Sequence, residues 1–276
     1  MRRVFYFLAT NAGVMIVFGI ILSLLPPSLT GGNAFNLLFF PLVFGMGGAF
    51  FSLMMSKRSA KKMAGLEMIT QPRNETEQWL LDTVARQAEA AGIGMPEVGI
   101  FNTPEMNAFA TGAKKNDALV AVSTGLLNTM SREEAEAVMG HEIAHVANGD
   151  MVTLTLITGV VNAFVMVAAR ILAGAMGQRS RIGYFIGYQI GNVLFGFLAT
   201  IVVSYFSRRR EFRADEGGAE YSSAQNMIGA LEKLKMGKTQ QLPNELAAFG
   251  INSSLKQKLF STHPPLDDRI AALRNL

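Results

Sequence analysis

Long uncharged blocks alternate with mixed polar segments along this chain. Four blocks contain no Asp, Glu, Lys or Arg, and they span residues 4–25, 34–56, 151–169 and 182–207. Each block has at least 19 residues, so a helix rising about 1.5 Å per residue covers nearly all or all of the roughly 30 Å core of a bilayer. The pattern predicts four hydrophobic helices in two hairpins.

The hydrophobic blocks divide the chain into four parts. We expect an N-terminal transmembrane hairpin (1–56), the first half of a soluble domain (57–150), a second hydrophobic hairpin (151–207) and the second half of the soluble domain (208–276). A cleaved signal peptide is the alternative interpretation of the first block. Its length, the second block that follows at once and the lack of a small-residue cleavage site favour a membrane span.

Cap, turn and apolar patterns predict the elements of the soluble domain. Asn74 caps an amphipathic helix that ends near Ala91, and Ser131 with Glu134 forms a capping box that opens a second helix through His145. Short apolar runs predict a small sheet, and two more amphipathic stretches predict C-terminal helices. The predicted strands are residues 98–101, 107–112 and 118–123, and the predicted helices are 220–235 and 266–273.

Composition supports a membrane protein rather than an ordinary soluble domain. Half of the residues are apolar and 17% are charged, against about 25% charged in soluble proteins. Cysteine is absent, which excludes a disulfide scaffold, a thiolate metal site and a cysteine nucleophile. The formal net charge of +4 does not indicate nucleic-acid binding, because the basic residues cluster at the ends of the apolar blocks.

The same basic clusters predict the orientation. Residues 2–3, 57–62 and 208–210 share one side of the membrane if all four blocks cross it, and the positive-inside rule makes that side the cytoplasm. Both termini and the soluble domain are then cytoplasmic. The tip of the second hairpin also carries basic residues, Arg170, Arg179 and Arg181. They oppose full crossing and leave open that this hairpin enters the membrane without spanning it.

Glycine recurs at every fourth position of the last apolar block, at Gly183, Gly187 and Gly191. Small residues at this spacing allow two membrane helices to approach closely. The pattern therefore indicates packing within the chain or in a homo-oligomer. The alternative is that glycine is simply common in membrane helices.

Two of the three histidines lie four residues apart on one predicted helix. His141 and His145, in the stretch HEIAH, share a helical face, so both imidazoles can reach one metal ion. Glu142 projects about 100° away, beside such an ion, where a carboxylate can take a proton from an activated water. The alternative is a surface helix that happens to contain two histidines.

A catalytic zinc site needs a third protein ligand, and in a chain without cysteine a carboxylate is the candidate. Glu211 and Asp215, in the stretch EFRAD directly after the second hairpin, share one helical face. We expect Glu211 to bind the metal and Asp215 to hold the second ring nitrogen of a ligand histidine. The alternative is that both acids pair with neighbouring arginines. The hairpin returns the chain to the same membrane face, which favours the metal site.

Four motifs together resemble the HtpX membrane zinc metalloproteases, a family related to the CAAX prenyl proteases. The motifs are HEIAHVANGD (141–150), EFRAD (211–215), NAFATG (107–112) and THPPLDDRI (262–270). Their order and spacing, with the two hairpins, extend the resemblance over essentially the whole chain. It implies a mainly α membrane protein with four hydrophobic helices and a zincin-like α+β metalloprotease domain that contains a small sheet.

The resemblance implies the metal site that the residues themselves indicate. His141, His145 and Glu211 would bind Zn2+, and Glu142 would be the catalytic general base. The implied activity is that of a zinc endopeptidase in the inner membrane of a bacterium, which removes misfolded or damaged membrane proteins under stress. Its partners would be polypeptide substrates and the lipid bilayer, with no nucleic acid.

The resemblance also implies a substrate site. Asn107, Ala108 and Phe109 would belong to an active-site edge strand that receives an extended substrate chain. Asn107 and His263 would steady the substrate or the developing oxyanion. For His263, a helix cap or a packing role is the alternative.

Three other functions remain alternatives from the sequence. A prenyl-protein protease shares the motifs, but those relatives resemble longer chains with more membrane spans. A non-catalytic membrane adaptor on a protease fold is opposed by the intact Glu142. A basic membrane-surface binding module depends only on the clusters at 57–62 and 208–210, which topology already explains.

Overall fold

The computed structural model of this protein describes residues 34–177, 180–241 and 262–276. The first predicted apolar block, residues 4–25, lies outside the described residues. In chain order the elements are α1 (Ala34–Met63), β1 (Glu67–Met68), α2 (Glu75–Ala90), β2 (Glu97–Phe101), β3 (Ala108–Lys114), β4 (Asp117–Ser123), α3 (Thr124–Thr129), α4 (Arg132–Asn148), α5 (Asp150–Met176), α6 (Arg181–Tyr221), α7 (Ala224–Gln241) and α8 (Leu266–Leu273).

The chain forms two compact units. One contains the described residues up to Ser52 together with Thr153–Val203. The other runs from Leu53 to Val152 and from Ser204 onward. Both α5 and α6 therefore contribute residues to each unit.

The first unit is built from apolar helices. Among the described residues, three helices are long and apolar enough to cross a membrane: Phe39–Met63, Asp150–Met176 and Arg181–Tyr221. They correspond to the second, third and fourth predicted blocks. Large apolar side chains on α6 are solvent-exposed, as at Val193, where 76% of the surface is accessible. Such a surface is stable against lipid, because lipid tails are as apolar as the side chains.

Glycines of α6 allow close packing on α5. A Cβ atom built on Gly191 would lie 2.6 Å from the Cα of Ala169, and one on Gly187 would lie 3.0 Å from the Cα of Ala173. Distances of this kind leave no room for a side chain. These two glycines therefore serve packing within the chain, the first of the two possibilities that the sequence left open.

The sheet belongs to the second unit and has the strand order β1-β2-β4-β3. β1 is antiparallel to β2, β2 is parallel to β4, and β3 is antiparallel to β4. β3 is an edge strand, because among the described residues no strand pairs with its outer side. The three predicted strands overlap β2, β3 and β4 and are confirmed. The sequence did not predict β1, which is only two residues long.

The ends of α4 are encoded locally, as predicted. The Glu134 N–H donates to the Ser131 hydroxyl, and the Ser131 N–H donates to the Glu134 carboxylate, which completes a capping box. At the other end Gly149 has a left-handed backbone with φ 71° and ψ 34°, a conformation in which glycine carries no Cβ penalty. The chain enters α5 immediately afterwards, at Asp150.

Apolar side chains from α2, α4 and the sheet form the core of the second unit. Leu80, Val84, Val120, Met139 and Ile143 are fully buried in it. On α4, residue 143 lies on the helical face opposite to residues 141 and 145. Burying Ile143 in the core therefore directs both histidines to the other side of the helix.

One predicted helix boundary is wrong. The helix expected over 220–235 begins inside α6, which continues to Tyr221, and a new helix starts only at Ala224. The Ser223 hydroxyl accepts a hydrogen bond from the Asn226 N–H, so a serine cap rather than a change in hydrophobicity marks the start of α7. The helix predicted at 266–273 coincides with α8.

Candidate metal centre and active site

Three buried side chains converge in the second unit. His141 and His145 come from α4, and their Nε2 atoms lie 3.1 Å apart. Glu211 comes from α6, with carboxylate oxygens 3.7 Å from Nε2 of His141 and 3.4 Å from Nε2 of His145. All three residues are less than 9% exposed. The structure thus brings together the predicted ligand set as a group that could hold a metal ion.

The distances within this group fit a tetrahedral metal ion. Ligand atoms about 2.1 Å from zinc in tetrahedral geometry lie about 3.4 Å from one another. Here the two Nε2 atoms are 3.1 Å apart, Oε2 of Glu211 is 3.7 Å from His141, and Oε1 of Glu211 is 3.4 Å from His145. Two imidazole nitrogens and a carboxylate are also a donor set that zinc prefers. The residues present therefore fit the metal.

The far side of each histidine faces a carboxylate. Nδ1 of His145 is placed to donate to Oδ2 of Asp150 at 2.7 Å. Nδ1 of His141 lies 2.9 Å from Oδ1 of Asp215, at an angle that is poor for a hydrogen bond. With the proton on Nδ1, each neutral ring presents the Nε2 lone pair to the metal position. Asp215 therefore lies beside His141, one of the two histidines predicted to bind the metal.

Asp150 and Arg269 complete the site, and the sequence did not assign a role to either. Arg269 donates to both oxygens of Asp215 at 2.7 and 2.5 Å and lies 3.3 Å from Oε2 of Glu211. It is only 6% exposed, so its charge offsets the buried carboxylates. Both residues stood within the quoted motifs, Asp150 at the end of HEIAHVANGD and Arg269 within THPPLDDRI.

A cavity of about 200 Å³ opens beside the metal-binding group. Glu142, which is half-buried, lines it together with Asn107, Ala108 and His263. Nδ1 of His263 lies 2.7 Å from Oε2 of Glu211, although 60% of this side chain is exposed. The remaining walls include apolar side chains: Met106, Leu126, Val138, Met227, Leu231, Leu234 and Leu266.

The edge strand β3 offers backbone groups next to this cavity. The Asn107 C=O accepts a hydrogen bond from the Ser123 N–H, and the Asn107 N–H donates to the Ser123 hydroxyl. Because paired residues alternate along an antiparallel ladder, Ala108 and Ala110 direct their backbone groups to the outer edge. The side chain of Phe109 is not part of the cavity wall and contacts Phe101, with ring centroids 5.5 Å apart. Of the three predicted edge-strand residues, only Phe109 keeps its side chain away from the site.

Peptidase family M48 matches residues 74–276 of the chain. The chain belongs to peptidase family M48. It is 54% identical over 290 residues to Protease HtpX of Aeromonas hydrophila, covering 99% of this chain and all of that protein. It is 53% identical over 287 residues to Protease HtpX of Stenotrophomonas maltophilia, with 99% and 98% of the two chains covered. The resemblance that the four motifs indicated is confirmed.

A solved structure has the same fold as this M48 peptidase. The crystal structure of S. mikatae Ste24p superposes with a TM-score of 0.66 at 17% sequence identity. The match covers 96% of the present chain and 63% of Ste24p, so this chain spans less than two thirds of that protein. Family, apolar helices and metal-binding group together identify the chain as a membrane metalloprotease.

The electrostatics of the M48 site favour a bound cation. Burial alone lowers the pKa of His145, but its contacts with Asp150 and Glu211 outweigh burial and raise that pKa to about 10. The ring therefore lies in a strongly negative potential. A metal cation at Nε2 is stabilised by the same carboxylates that otherwise hold a proton there.

Proposed function

We propose that this protein is a zinc-dependent endopeptidase of the bacterial inner membrane that hydrolyses misfolded or damaged membrane proteins on the cytoplasmic side. One observation carries the proposal: the His141, His145 and Glu211 group shares a cavity with Glu142 and adjoins the open edge of β3. A metal and a general base are the groups that metal-dependent hydrolysis uses, and an open strand edge can bind an extended polypeptide.

The metal would be held by His141, His145 and Glu211. A zinc ion in this position supplies Lewis-acid polarisation of a peptide carbonyl and lowers the pKa of water. Asp150 fixes the tautomer of His145 through its contact with Nδ1 at 2.7 Å. Asp215 lies 2.9 Å from Nδ1 of His141, and its negative charge favours the same tautomer there.

Glu142 acts as the general base. It follows the ligand His141 in the chain and lines the same cavity, and its partial exposure lets it exchange protons with solvent. Glu142 takes a proton from the attacking water and passes it to the departing amine. Hydrolysis by this route needs no covalent intermediate, which agrees with the absence of cysteine.

Substrate binds as an added strand on β3. The outward backbone groups of Ala108 and Ala110 pair with an extended polypeptide, which gives affinity with little demand on sequence. Asn107 and His263 line the cavity and steady the substrate or the developing oxyanion. Phe109 contributes by packing on Phe101, because its backbone groups face β4. Only an unfolded or loosely folded segment can supply such a strand, so damaged proteins are the preferred substrates.

The location follows from charge and from the relatives. Basic clusters at 57–62 and 208–210 favour a cytoplasmic site by the positive-inside rule. α5 starts at Asp150, two residues after α4 ends, so substrates in or near the bilayer are the ones within reach. The resemblance to HtpX proteases supports a role in quality control during stress.

The test is cleavage of casein, a loosely folded protein, by the purified full-length chain in detergent. We expect cleavage that a zinc chelator abolishes and that added zinc restores. Cleavage that persists after complete metal removal would refute the zinc mechanism. A protein that binds zinc but does not cleave casein would support a non-catalytic adaptor instead.

A further inference from the structure

A second cavity, of about 330 Å³, lies in the second unit where the last apolar block ends. We call it the juxtamembrane cavity. It is lined by α6 and by residues at and before the start of α8, namely Tyr205, Arg208, Arg209, Phe212, Pro264, Pro265 and Asp268. The four residues from α6 recur at spacings of three and four, so they form one stripe along the helix.

The chemistry of the juxtamembrane cavity suits a phosphate group. Arg208 and Arg209 bring two positive charges and Asp268 one negative charge, so the lining has a net charge of +1. The Arg209 guanidinium lies 5.5 Å from the centre of the Tyr205 ring, so the aromatic face helps to hold it. Guanidinium groups bind phosphate oxygens through paired, charge-assisted hydrogen bonds.

The position of the cavity, at the end of the last apolar block, indicates that the phosphate belongs to a lipid. Tyr205 and Phe206 are 47% and 43% exposed and stand at the end of the uncharged block, where aromatic side chains occupy the membrane interface. Lipid phosphates lie at the same depth. We propose that the juxtamembrane cavity binds the phosphate of an anionic phospholipid headgroup, beyond any role in proteolysis itself.

Topology alone does not account for this arrangement. The positive-inside rule needs basic residues near the helix end, whatever their direction. Arg213 meets that need as an exposed residue on the same helix, yet it does not line the cavity. In contrast, Arg208, Arg209 and Tyr205 all line one cavity. The positive-inside rule does not require this convergence, whereas binding of a ligand explains it.

Two residues that line the juxtamembrane cavity are next in sequence to residues of the candidate metal site. Phe212 directly follows Glu211, and Pro264 directly follows His263, whose Nδ1 lies 2.7 Å from Oε2 of Glu211. A headgroup in the cavity contacts the segment that carries His263 and the helix that carries Glu211 at once. Lipid binding therefore stabilises this part of the site and increases casein cleavage.

The test measures binding separately from proteolysis. The full-length protein in detergent is titrated with dihexanoyl phosphatidylglycerol, dihexanoyl phosphatidylcholine or inorganic phosphate, and the melting temperature Tm is recorded. We expect phosphatidylglycerol to raise Tm at a lower concentration than either of the other two compounds. At that concentration inorganic phosphate should leave Tm unchanged. An equal response to inorganic phosphate would show a soluble phosphate ligand and overturn the lipid assignment.

Variants that remove a positive charge test whether the lipid raises Tm by binding in the juxtamembrane cavity. Arg208→Gln with Arg209→Gln should require about 30-fold more phosphatidylglycerol, and each single change about fivefold more, from the usual contribution of a basic side chain near anionic lipid. Arg213→Gln is the matched control and should respond like the wild type. A double variant with wild-type affinity, or a control weakened as much as the double variant, would refute the site. If casein were never cleaved, the Tm titration would still decide this question.

Discussion

Replacing Asp150 tests the least expected part of the metal centre. Its carboxylate lies 2.7 Å from Nδ1 of His145, and the two residues are 4% and 7% exposed. Because this contact is shielded from bulk solvent, we expect its loss to weaken the hold on His145 substantially. Loss of a carboxylate that orients a ligand histidine typically weakens metal binding about 10- to 100-fold, which is about 1.4–2.7 kcal/mol.

The two substitutions at Asp150 should differ. Asp150→Asn keeps an oxygen that can accept from His145 but removes the charge, so zinc affinity should fall by about tenfold. Asp150→Ala leaves Nδ1 without this acceptor and should approach the 100-fold limit. Arg210 donates to the backbone oxygen of Asp150, so neither change removes that hydrogen bond.

The assay is competition for zinc between the full-length protein and a chelator of known affinity. Asp82→Asn is the control, because Asp82 is an exposed residue of α2 that accepts a hydrogen bond from Gln78 and lies outside the metal centre. We expect less than a twofold change for this control. Wild-type zinc affinity in Asp150→Ala, with Tm preserved, would refute the orienting role of the carboxylate.

Three further predictions concern the proposed third ligand, its arginine partner and the capping box of α4. Glu211→Ala should lower the zinc content of the purified protein, and full occupancy would place the third ligand elsewhere. Arg269→Met should destabilise the fold by about 3 kcal/mol or more, seen as a lower Tm, because it leaves the Asp215 and Glu211 carboxylates without their cation. Burial raises the pKa of Glu134, but its contacts with Lys233 and Ser131 together outweigh burial and hold this pKa below 4.5. Its stabilisation is thus complete above about pH 4.5 and is lost as pH falls through the lowered value. The difference in Tm between wild type and Glu134→Gln should shrink on acidification, and a constant difference would contradict this.

The elements that depend on local sequence were predictable. A capping box and a left-handed glycine define α4, and a helix period places His141 and His145 on one face. Glu211 was also predictable, since EFRAD follows an apolar block that was expected to return the chain to the same membrane face. The absence of cysteine also limited the candidates for the third metal ligand, because few other side chains bind zinc.

The contacts that depend on tertiary packing were not predictable. Arg269 meets Asp215 across 54 residues of sequence, and no local pattern indicates that partner. The contact between Asp150 and His145 is local, across five residues and the Gly149 turn, but no pattern in the sequence assigned it. Nor did the sequence show which face of β3 meets the cavity, so it did not place the Phe109 side chain on the opposite face, against Phe101.

The roles assigned to the site residues are tested most directly by one paired measurement on Glu142→Gln. Zinc content and casein cleavage are determined on the same purified full-length preparation, beside the wild type. We expect zinc content equal to that of the wild type and no cleavage, because the ligands are intact and only the proton carrier is lost. Casein cleavage at the wild-type rate would contradict the assignment of Glu142 as general base.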